Sequence, residues 1–394
     1  MIGGPGPARP TVVVAGALAQ RPGIGGHAWV FLNWLLGLRA IGFDVLFLDR
    51  TELEMFDDPA MPPERSTQWQ WLSRVMSEFG FEGDVALLHN AGKVCVGLPR
   101  EGILQRARQA VVLLNFMGYL DDAEILAAVP HRVFVDIDPG FPQLWRALGL
   151  HDAFAGHDAV ATVGLELGRP GCTISVEGVD HVGTLPPIAL DHWPALPLPA
   201  LDAPARVTSV ATWRGPFGPI EHEGVHYGLR VHELRRFAAL PALVADAEIE
   251  LALDIDPADA QDATHLRSNG WRLVDPRAVA GDPAAYRRYL QGSSAELMIA
   301  KAMYVRSAGG WFSDRSACYL ASGRPVVAQD TGFARHLPTG EGLLTFDNPR
   351  GAADTLAEVI GNRCRHADAA RQLAVEFFDA SKVLRSLLTR LDVA

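Results

Sequence analysis

Short apolar runs rich in β-branched residues alternate along the chain with longer segments of helical period. In the first half, the apolar runs predict strands over Thr11–Leu18, Phe43–Leu48, Asp84–His89, Val111–Phe116, Arg132–Val135 and Ala159–Val163. Between them, helices are predicted over His27–Ile41, Ser66–Phe79, Arg100–Ala110, Asp122–Ala128 and Phe141–Leu148. Strands and helices in such alternation predict a parallel sheet that is covered by helices on both faces.

The alternation is interrupted by the proline-rich stretch Leu185–Pro204 and then resumes. Proline fixes φ and has no N–H to donate, so this stretch is predicted to be a semi-rigid linker. After it, strands are predicted over Arg206–Thr212, Ile249–Leu253, Trp271–Val274, Ala295–Ile299 and Pro325–Ala328. Helices are predicted over Val231–Leu240, Pro257–Ser268, Pro283–Leu290, Asp314–Ala321 and Ala352–Ile360, and the tail Ala369–Leu391 has a helical period.

The predicted fold class is α/β, with two Rossmann-like, doubly wound domains that face each other across a cleft. A chain of 394 residues suits two domains at about 150 residues each. The predicted boundaries are an N-terminal domain over residues 1–190, a linker over 191–205 and a C-terminal domain over 206–394. The last helix is a candidate to cross back to the first domain. Ligands of such sheets bind at the carboxyl ends of the strands, which predicts a site in the cleft.

Composition and charge narrow the class of protein. Hydrophobic residues make up 48% and charged residues 21%, which is typical of a globular protein with a sizeable core. The formal charge of -11 argues against a general electrostatic attraction to nucleic acid or anionic membranes. The four cysteines are too far apart for a metal knuckle or a redox pair, and no secretory leader or membrane span is predicted. We therefore expect a cytoplasmic protein, and the sequence leaves its oligomeric state open.

A glycine loop follows the first predicted strand and contains Gly23, Gly25 and Gly26. Residues 23–28 match the pattern G-x-G-x-x-A, and Asp49 ends the second strand about where a ribose-binding acid would stand. This match favours a nicotinamide- or flavin-dependent oxidoreductase as an alternative function. Against it, the chain between the first strand and the first glycine is longer than the tight turn of the dinucleotide fingerprint.

A second interpretation places a different ligand at the start of the helix after this loop. Glycines let a ligand approach the backbone, and the first N–H groups of a helix are free to bind it. His27 opens this helix, and a histidine can take a proton from an acceptor hydroxyl near neutral pH. Asp136 and Asp138, in VDIDPGF, are expected at the same cleft, where an aspartate could orient the base or only cap a turn; His181 is a weaker cleft candidate. The competing interpretation is that His27 only packs or caps at the helix start.

The segment Gly309–Phe333 carries the most specific pattern of the chain. A loop with two glycines leads into Ser313, Asp314, Arg315 and Ser316, a sequence suited to starting a helix. A helix start presents unpaired N–H groups and a positive dipole end, so it is a favourable site for a diphosphate. The two hydroxyls and the guanidinium would add donors and positive charge there.

Two further loops are predicted to contact the same ligand. Asp330 and Thr331 follow the strand Pro325–Ala328, where their side chains would bind sugar hydroxyls. Arg214 follows the first strand of the second domain, in ATWRGPFG, and suits a diphosphate contact. The competing interpretation of Arg214 is a solvated side chain in a surface turn.

The segment 309–332 resembles the donor-binding region of GT-B glycosyltransferases, in particular the glycosyltransferase group 1 and CgeB-like C-terminal regions. The shared pattern is A-x-G-x-P-V-V-A, here Ala321–Ala328, followed by a polar loop. SSAELMIAK upstream, LPTGEGLLTFDNPRGAADTLAEVI downstream and the N-terminal glycine loop with its histidine continue the resemblance over most of the chain. The resemblance implies a nucleotide-sugar donor bound by the second domain and an acceptor bound by the first.

The sequence departs from the resembled family at one functional place. Many retaining members carry two glutamates eight residues apart, and the register set by Gly323 puts Gly310 and Cys318 at those positions. Asp314 and Glu341 are then the local candidates for contacting the donor ribose. The absence of the glutamates, together with the histidine of the first loop, favours an inverting enzyme.

The predicted function is transfer of a sugar from a nucleotide-sugar donor to a small-molecule or glycan acceptor. No cofactor and no metal are expected, because cations and helix N–H groups can stabilise a leaving diphosphate. His222 and His226 are four residues apart, but the glycines and proline around them argue against the helix that a metal site of this spacing needs. A non-catalytic nucleotide-sugar binder with the same fold is the second alternative. The sequence leaves the nucleotide base, the sugar and the acceptor open.

Overall fold

The computed structural model describes residues 9–393 except residues 57, 59 and 200–202. In these ranges the chain forms an eight-stranded sheet, a six-stranded sheet and a two-stranded hairpin. The predicted fold class, two Rossmann-like α/β domains, is confirmed. No helix of these ranges is long and apolar enough to cross a lipid bilayer.

The first domain is built on the eight-stranded sheet. Its strands are β1 (Thr11–Gly16), β2 (Asp44–Thr51), β3 (Val85–His89), β4 (Val94–Gly97), β5 (Ala110–Phe116), β6 (Arg132–Asp136), β7 (Ala159–Thr162) and β8 (His181–Gly183). The helices are α1 (Gly25–Ala40), α2 (Thr67–Glu78), α3 (Arg100–Gln109), α4 (Ala123–Ala128) and α5 (Phe141–Ala147). The strand order is β4-β3-β2-β1-β5-β6-β7-β8, and β4 pairs antiparallel with β3 while the other neighbours pair in parallel. Strand β1 is central and buried, which explains its uninterrupted valine run.

The second domain is built on the six-stranded parallel sheet, with the hairpin beside it. The strands are β9 (Ala205–Thr212), β10 (Ile220–His222), β11 (Val225–Tyr227), β12 (Ala247–Asp254), β13 (Arg272–Val274), β14 (Ala295–Met298), β15 (Val326–Gln329) and β16 (Leu343–Phe346). The helices are α6 (Arg230–Arg236), α7 (Ala260–Ser268), α8 (Pro276–Ala280), α9 (Pro283–Gln291), α10 (Ala302–Ser307), α11 (Asp314–Ala321), α12 (Pro349–Gly361), α13 (Arg363–Leu373) and α14 (Ala380–Arg390). The sheet order is β13-β12-β9-β14-β15-β16, and β10 pairs with β11.

The tail and the shortest strands differ from the prediction. The tail Ala369–Leu391 is not one helix: α13 is followed by a π-helical turn over Ala374–Phe378, and α14 begins after Asp379. The carboxylate of Asp379 accepts a hydrogen bond from the Ser381 N–H at 2.8 Å, which fixes the start of α14. Strands β4, β8 and β16 were not predicted as strands, because three or four residues carry too little periodicity to be recognised. The segment around β10 and β11 was expected to be a loop or a hairpin, and it forms a hairpin.

The proline-rich stretch is bound to the second domain over part of its length. Arg324 donates to the carbonyl oxygens of Leu196 and Pro197 at 3.0 and 2.9 Å, and Arg371 donates to that of Trp193 at 2.8 Å. These bonds hold residues 193–197 against the helices that flank the second sheet. Any hinge between the domains is therefore confined to residues before 193 or to the tail, rather than spread over Leu185–Pro204.

The last helix lies against the first domain. Helix α14 packs on α1 at Gly37, where a Cβ would lie 2.6 Å from both Ala380 Cβ and Leu384 Cδ1. Ile188 and Asp379 form a parallel β-bridge, so the two chain segments that connect the domains run side by side. The division into residues 1–190, 191–205 and 206–394 stays a prediction.

Candidate functional site

A cavity of about 300 Å³ lies between the two sheets, at the carboxyl ends of their strands. Loops that follow β1, β6 and β7 line one side, which we call the first-domain wall. Loops that follow β9, β12 and β14 and the start of α11 line the other side, the second-domain wall. Small-molecule sites of about 300–1,000 Å³ lie at such strand ends in α/β proteins.

Three buried cationic side chains, those of Arg230, Lys301 and Arg315, line the second-domain wall, and the exposed Arg277 also lines it. Arg230 begins α6 and is 8% exposed; its Nη1 donates to the Ile299 carbonyl at 2.6 Å, while its Nε has no partner in the described part of the chain. Arg315 is also 8% exposed; its Nε donates to Glu296 at 2.5 Å, and its Nη2 is unpaired with any described residue. Buried N–H groups are rarely left without an acceptor. Both are closed off from solvent, so an anion in the cavity would reach them only after the side chains shift.

The charges on this wall lie close enough to influence one another. Burial, together with the nearby positive charge of Arg315, lowers the pKa of Arg230 to about 10. Arg230 is therefore still a cation at neutral pH, and a second anionic partner would favour its charged form. The wall is electrostatically suited to a diphosphate or a similar polyanion.

A bridge of polar groups crosses the cavity from one wall to the other. Asp138, in the loop after β6, accepts a hydrogen bond from Lys301 Nζ at 2.6 Å, and the Tyr304 hydroxyl also donates to it. Lys301 Nζ lies 3.1 Å from the Tyr304 hydroxyl oxygen. Asp138 thus holds the lysine of the second-domain wall from the first domain.

His27 lines the first-domain wall as a neutral ring. Burial lowers its pKa to about 4, with a smaller contribution in the same direction from Arg21. Its Nε2 lies 2.9 Å from the Ala17 carbonyl oxygen, and its ring meets the edge of Phe31. The residue that precedes α1 is Ile24, and its side chain makes no capping bond, so His27 is not the cap of this helix.

The glycines of the first loop serve the contact between the domains. A Cβ at Gly25 would lie 2.1 Å from the Asp282 carbonyl oxygen, and one at Gly26 would lie 2.7 Å from the ring of Tyr286. Gly23 has a φ of 75°, a conformation that favours glycine. Gly25 and Gly26 therefore contact the second domain directly, while Gly23 and Gly26 also line the cavity.

Asp49 does not present its carboxyl group to a ligand. It is 2% exposed; its Oδ2 accepts from the Ala19 N–H at 2.6 Å and its Oδ1 from the Arg50 N–H at 2.7 Å. Burial raises its pKa to about 8. A ribose-binding acid needs free oxygens, so this geometry gives no support to the dinucleotide interpretation of the glycine loop.

The start of α11 brings most of its predicted residues to the cavity. Ser313, Asp314 and Arg315 line the second-domain wall, and burial raises the pKa of Asp314. Ser316 is fully buried behind them, and its hydroxyl has no partner among the described residues. Arg315 thereby joins Arg230 at the cavity, and the role of these side chains in donor binding stays a prediction.

Asp330 and Thr331 were expected in the cleft, and the structure places them outside the lining of the cavity. The loop after β15 folds back on the segment before α11: the Gly310 N–H donates to the Thr331 carbonyl at 2.8 Å, and the Thr331 hydroxyl donates to the Trp311 carbonyl. Asp330 accepts from the Gly332 N–H at 2.9 Å. Both side chains brace this loop instead of reaching a ligand.

Arg214 also lies away from the cavity lining, although it follows a strand that ends there. Its Nε and Nη2 donate to the two carboxylate oxygens of Asp259 at 2.7 and 2.6 Å, and its side chain is 57% exposed. This geometry agrees with the competing interpretation of the sequence, in which Arg214 is a solvated side chain in a surface turn.

The two aspartates after β6 have different surroundings. Asp136 lies outside the lining, and its Oδ2 accepts from the Thr162 hydroxyl and from the Gln143 amide, each at 2.9 Å. Burial raises the pKa of Asp136 to about 7. His181 contacts the same amide and is likewise outside the lining, so Asp138 is the aspartate that reaches the cavity.

Sequence reasoning missed Arg230 and Lys301, the other buried cations of the second-domain wall. Signals for both were present. Lys301 comes two residues after the predicted strand Ala295–Ile299, at the carboxyl end where ligands bind, and Arg230 directly precedes the predicted helix Val231–Leu240.

The segment with His222 and His226 forms the hairpin β10–β11, where His226 Nδ1 contacts the Glu221 carboxylate. Within the described ranges, no three His, Cys, Asp or Glu side chains cluster as metal ligands would. The two histidines therefore lie on neighbouring strands of a hairpin and not on one face of a helix.

Comparisons with known proteins bear on the fold. No protein-family profile and no curated protein matches the sequence. HepE of Anabaena, crystallised with UDP and glucose, is 12% identical with a TM-score of 0.57, and the match covers 97% of this chain and 99% of HepE. Sucrose-phosphate synthase of Thermosynechococcus elongatus is 12% identical with a TM-score of 0.56 and the same coverages, 97% and 99%. An α-glucosyltransferase crystallised with UDP and a 13-mer DNA is 11% identical with a TM-score of 0.57, again over 97% and 99%.

The chain has the GT-B fold. These three structures are GT-B glycosyltransferases of two Rossmann-like domains, and each match spans both sheets of this chain. At these identities the likeness extends to the fold alone, and the CgeB-like resemblance stays a prediction.

This GT-B chain has no carboxylate at the two positions where many retaining members carry glutamates. Gly310 has a φ of 77°, and a Cβ there would lie 2.7 Å from the Glu166 backbone nitrogen, so a glutamate does not fit. Cys318, at the second position, is 1% exposed. Of the two carboxylates suggested for the ribose, Asp314 lines the cavity, whereas Glu341 pairs with an exposed arginine at 3.4 Å.

Proposed function

We propose that this protein is a glycosyltransferase that moves a sugar from a nucleotide-sugar donor to an acceptor hydroxyl. One observation carries the proposal: the interdomain cavity has three buried cations on one wall and a neutral histidine on the other. A leaving diphosphate needs positive charge, and a hydroxyl nucleophile needs a base. The structures of HepE with UDP and with UDP-glucose support a nucleotide sugar as the donor class.

The second-domain wall would bind the diphosphate of the donor. Arg230 and Arg315 would turn their unpaired N–H groups, Nε and Nη2, towards the diphosphate, and Lys301 would contact it with its ammonium group. Charge-assisted hydrogen bonds to phosphate are about twice as strong as neutral ones. The start of α11 adds free backbone N–H groups, and Ser313 adds a hydroxyl. These groups would stabilise the charge that grows on the diphosphate as the bond to the sugar breaks.

Asp138 would prepare the lysine for this ligand. Its bond to Lys301 at 2.6 Å holds the ammonium at the cavity, between Tyr304 and the first-domain wall. A phosphate that binds Lys301 would either contact the ammonium together with Asp138 or displace Asp138 from it. The aspartate would then be free to contact the sugar or the acceptor.

The first-domain wall would bind the acceptor, with His27 as the general base. Burial keeps the ring neutral at physiological pH, so its lone pair is available to a hydroxyl proton, although the lowered pKa makes it a weaker base than an ordinary histidine. Apolar side chains, among them Val30, Ile137 and Val163, line the same wall. A glycan would bring many hydroxyl groups that lose water and need partners there. We therefore favour a small molecule with an apolar framework over a glycan as the acceptor.

The reaction we propose is a direct displacement at the anomeric carbon. The acceptor oxygen forms the new carbon–oxygen bond while the bond to the diphosphate breaks, and the diphosphate leaves with the electron pair. His27 takes the proton of the attacking hydroxyl. A single displacement inverts the configuration of the anomeric carbon, and the three cations would carry the charge without a metal.

A panel of nucleotide sugars tests the function. The protein is incubated with donors that differ in base and sugar, with and without hydroxyl-bearing acceptors, and nucleoside diphosphate release and product mass are followed. We expect at least one donor to be consumed faster with an acceptor, giving a glycosylated product of inverted configuration. Tight donor binding without turnover would support the non-catalytic alternative. Preferential binding of a nicotinamide dinucleotide would support the oxidoreductase.

A further inference from the structure

Asp49 is a buried carboxyl group that the proposed reaction does not use. It ends the run of apolar residues in β2, beside the loop that joins β1 to α1. Its Oδ2 accepts from the Ala19 N–H at 2.6 Å, and its Oδ1 accepts from the Arg50 N–H at 2.7 Å. One oxygen therefore binds the loop and the other binds β2, so the carboxyl group ties the loop to the sheet.

The same loop carries the hydrogen-bond partner of His27. The Ala17 carbonyl oxygen lies two residues before Ala19 and 2.9 Å from His27 Nε2. A carbonyl oxygen can only accept, so Nε2 must carry the hydrogen. A neutral imidazole has one N–H, and Nδ1 is then the nitrogen with the free lone pair. The edge contact with Phe31, at 5.2 Å between ring centroids, further restricts the ring.

We infer that Asp49 is a positioning residue for the base: it acts through the Ala17 loop to hold His27 with the hydrogen on Nε2 and with Nδ1 free to take a proton. The inference rests on the proposed role of His27. Asp49 touches neither sugar nor phosphate in this account. It fixes where the Ala17 carbonyl points, and that carbonyl selects the tautomer and the orientation of the ring.

The tautomer can be measured independently of any reaction. Protein labelled with ¹⁵N in histidine gives two ring-nitrogen signals for His27, which are assigned by their loss in His27→Gln. In the wild type we expect a protonated-nitrogen shift for Nε2 and a lone-pair shift for Nδ1. In Asp49→Asn we expect the two shifts to move towards each other, because the loop loses one of its carboxylate bonds. Asp44→Asn, at the exposed start of the same strand, is the control and leaves both shifts unchanged.

Kinetics give the second readout. Asp49→Asn is expected to lower kcat by about tenfold or more, while the Kd of UDP stays within about twofold. A wild-type hydrogen on Nδ1, or unchanged His27 shifts in a folded Asp49→Asn protein, would overturn the inference. If Asp49→Asn does not fold, Asp49→Ser, which keeps one acceptor oxygen, is measured in the same way. If the wild type transfers no sugar, the proposed function fails, but the ring-nitrogen shifts still decide whether Asp49 sets the tautomer.

Discussion

The same burial leaves the two walls of the cavity with different charges. On the second-domain wall, burial lowers the pKa of Arg230 only to about 10, so the guanidinium keeps its charge. On the first-domain wall, burial lowers the pKa of His27 to about 4, so the imidazole is neutral. The ordinary pKa of each group decides the result, since arginine starts far above neutral pH and histidine close to it. One desolvated cavity can therefore hold cations for a diphosphate and a base for a hydroxyl.

Substitution of His27 tests the difference between the two walls most strongly, and we expect it to have the largest effect on turnover. His27→Ala removes the base and should lower kcat by about 10²- to 10⁴-fold, and the Kd of the nucleoside diphosphate should stay within about twofold. Both quantities are measured by turnover assays and calorimetry, with His265→Ala, exposed on α7, as the control. Nearly full turnover in His27→Ala would show that His27 is not the general base and would make Asp138 the better candidate for that role.

The second-domain wall should show the reverse pattern. Arg230→Gln removes a charged donor and should weaken nucleoside diphosphate binding by about 10- to 100-fold, since bonds to charged groups contribute about 1.5–3 kcal/mol. Arg235→Gln is the matched control, because Arg235 lies on the same helix and pairs with Asp262 at the surface. Calorimetric titration with UDP measures both variants. Equal affinities in the two variants would contradict the assignment of Arg230 to the diphosphate.

Gly25 lies at the contact between the two domains, and a larger residue there should disrupt that contact. In Gly25→Ala the new methyl group would lie about 2.1 Å from the Asp282 carbonyl oxygen, so the domains must separate or strain. Overpacking of this kind costs about 1–3 kcal/mol of stability. Gly102→Ala, in α3, is the control, because its Cβ would have no atom closer than 3.7 Å. Urea unfolding of both variants gives the difference, and equal midpoints would show that α1 and α9 do not meet as described.

The last expected effect is a pH dependence of stability, and it concerns Asp136, which lies behind the first-domain wall. Burial raises its pKa from 3.8 to about 7, so the folded protein binds this proton more tightly than the unfolded chain does. The stabilisation is complete below about pH 4 and is lost as the pH rises to about 7, by at most about 1.4 kcal/mol per pH unit.

The neutral variant Asp136→Asn removes this dependence. Its free energy of unfolding, relative to that of the wild type, should rise between pH 5 and pH 7. Asp44→Asn, exposed at the start of β2, controls for the change in net charge and should show no such rise. A relative stability that stays constant over this interval would mean that Asp136 is already ionised in the folded protein at pH 5.

The fold could be predicted from the sequence because the alternation of strands and helices extends over most of the chain. Alternating strands and helices, interrupted by prolines, gave two doubly wound domains and a cleft at the strand ends. The pattern Ala321–Ala328 identified the donor-binding half by resemblance, and Ser313, Asp314 and Arg315 do line the cavity. The helix start was predictable because capping residues and glycines act locally.

The remaining site residues depend on the direction of each side chain, which no local pattern specifies. Asp136 and Asp138 are two residues apart, yet hydrogen bonds within the first domain bury Asp136 and only Asp138 reaches the cavity. Arg214 stands at the end of a strand but is held by Asp259 at the surface. Arg230 was overlooked because its neighbour Arg315 comes from a distant part of the chain, and only the folded protein brings the two together.

A crystal structure of the protein with UDP tests the central claim most directly. The account predicts that the two phosphates lie on the second-domain wall, with oxygens about 3 Å from Arg230 Nε, Arg315 Nη2 and Lys301 Nζ. It also predicts that His27 contacts no phosphate and keeps its bond to the Ala17 carbonyl. Phosphates bound at the glycine loop, Gly23–His27, with the three cations left unchanged, would contradict the account.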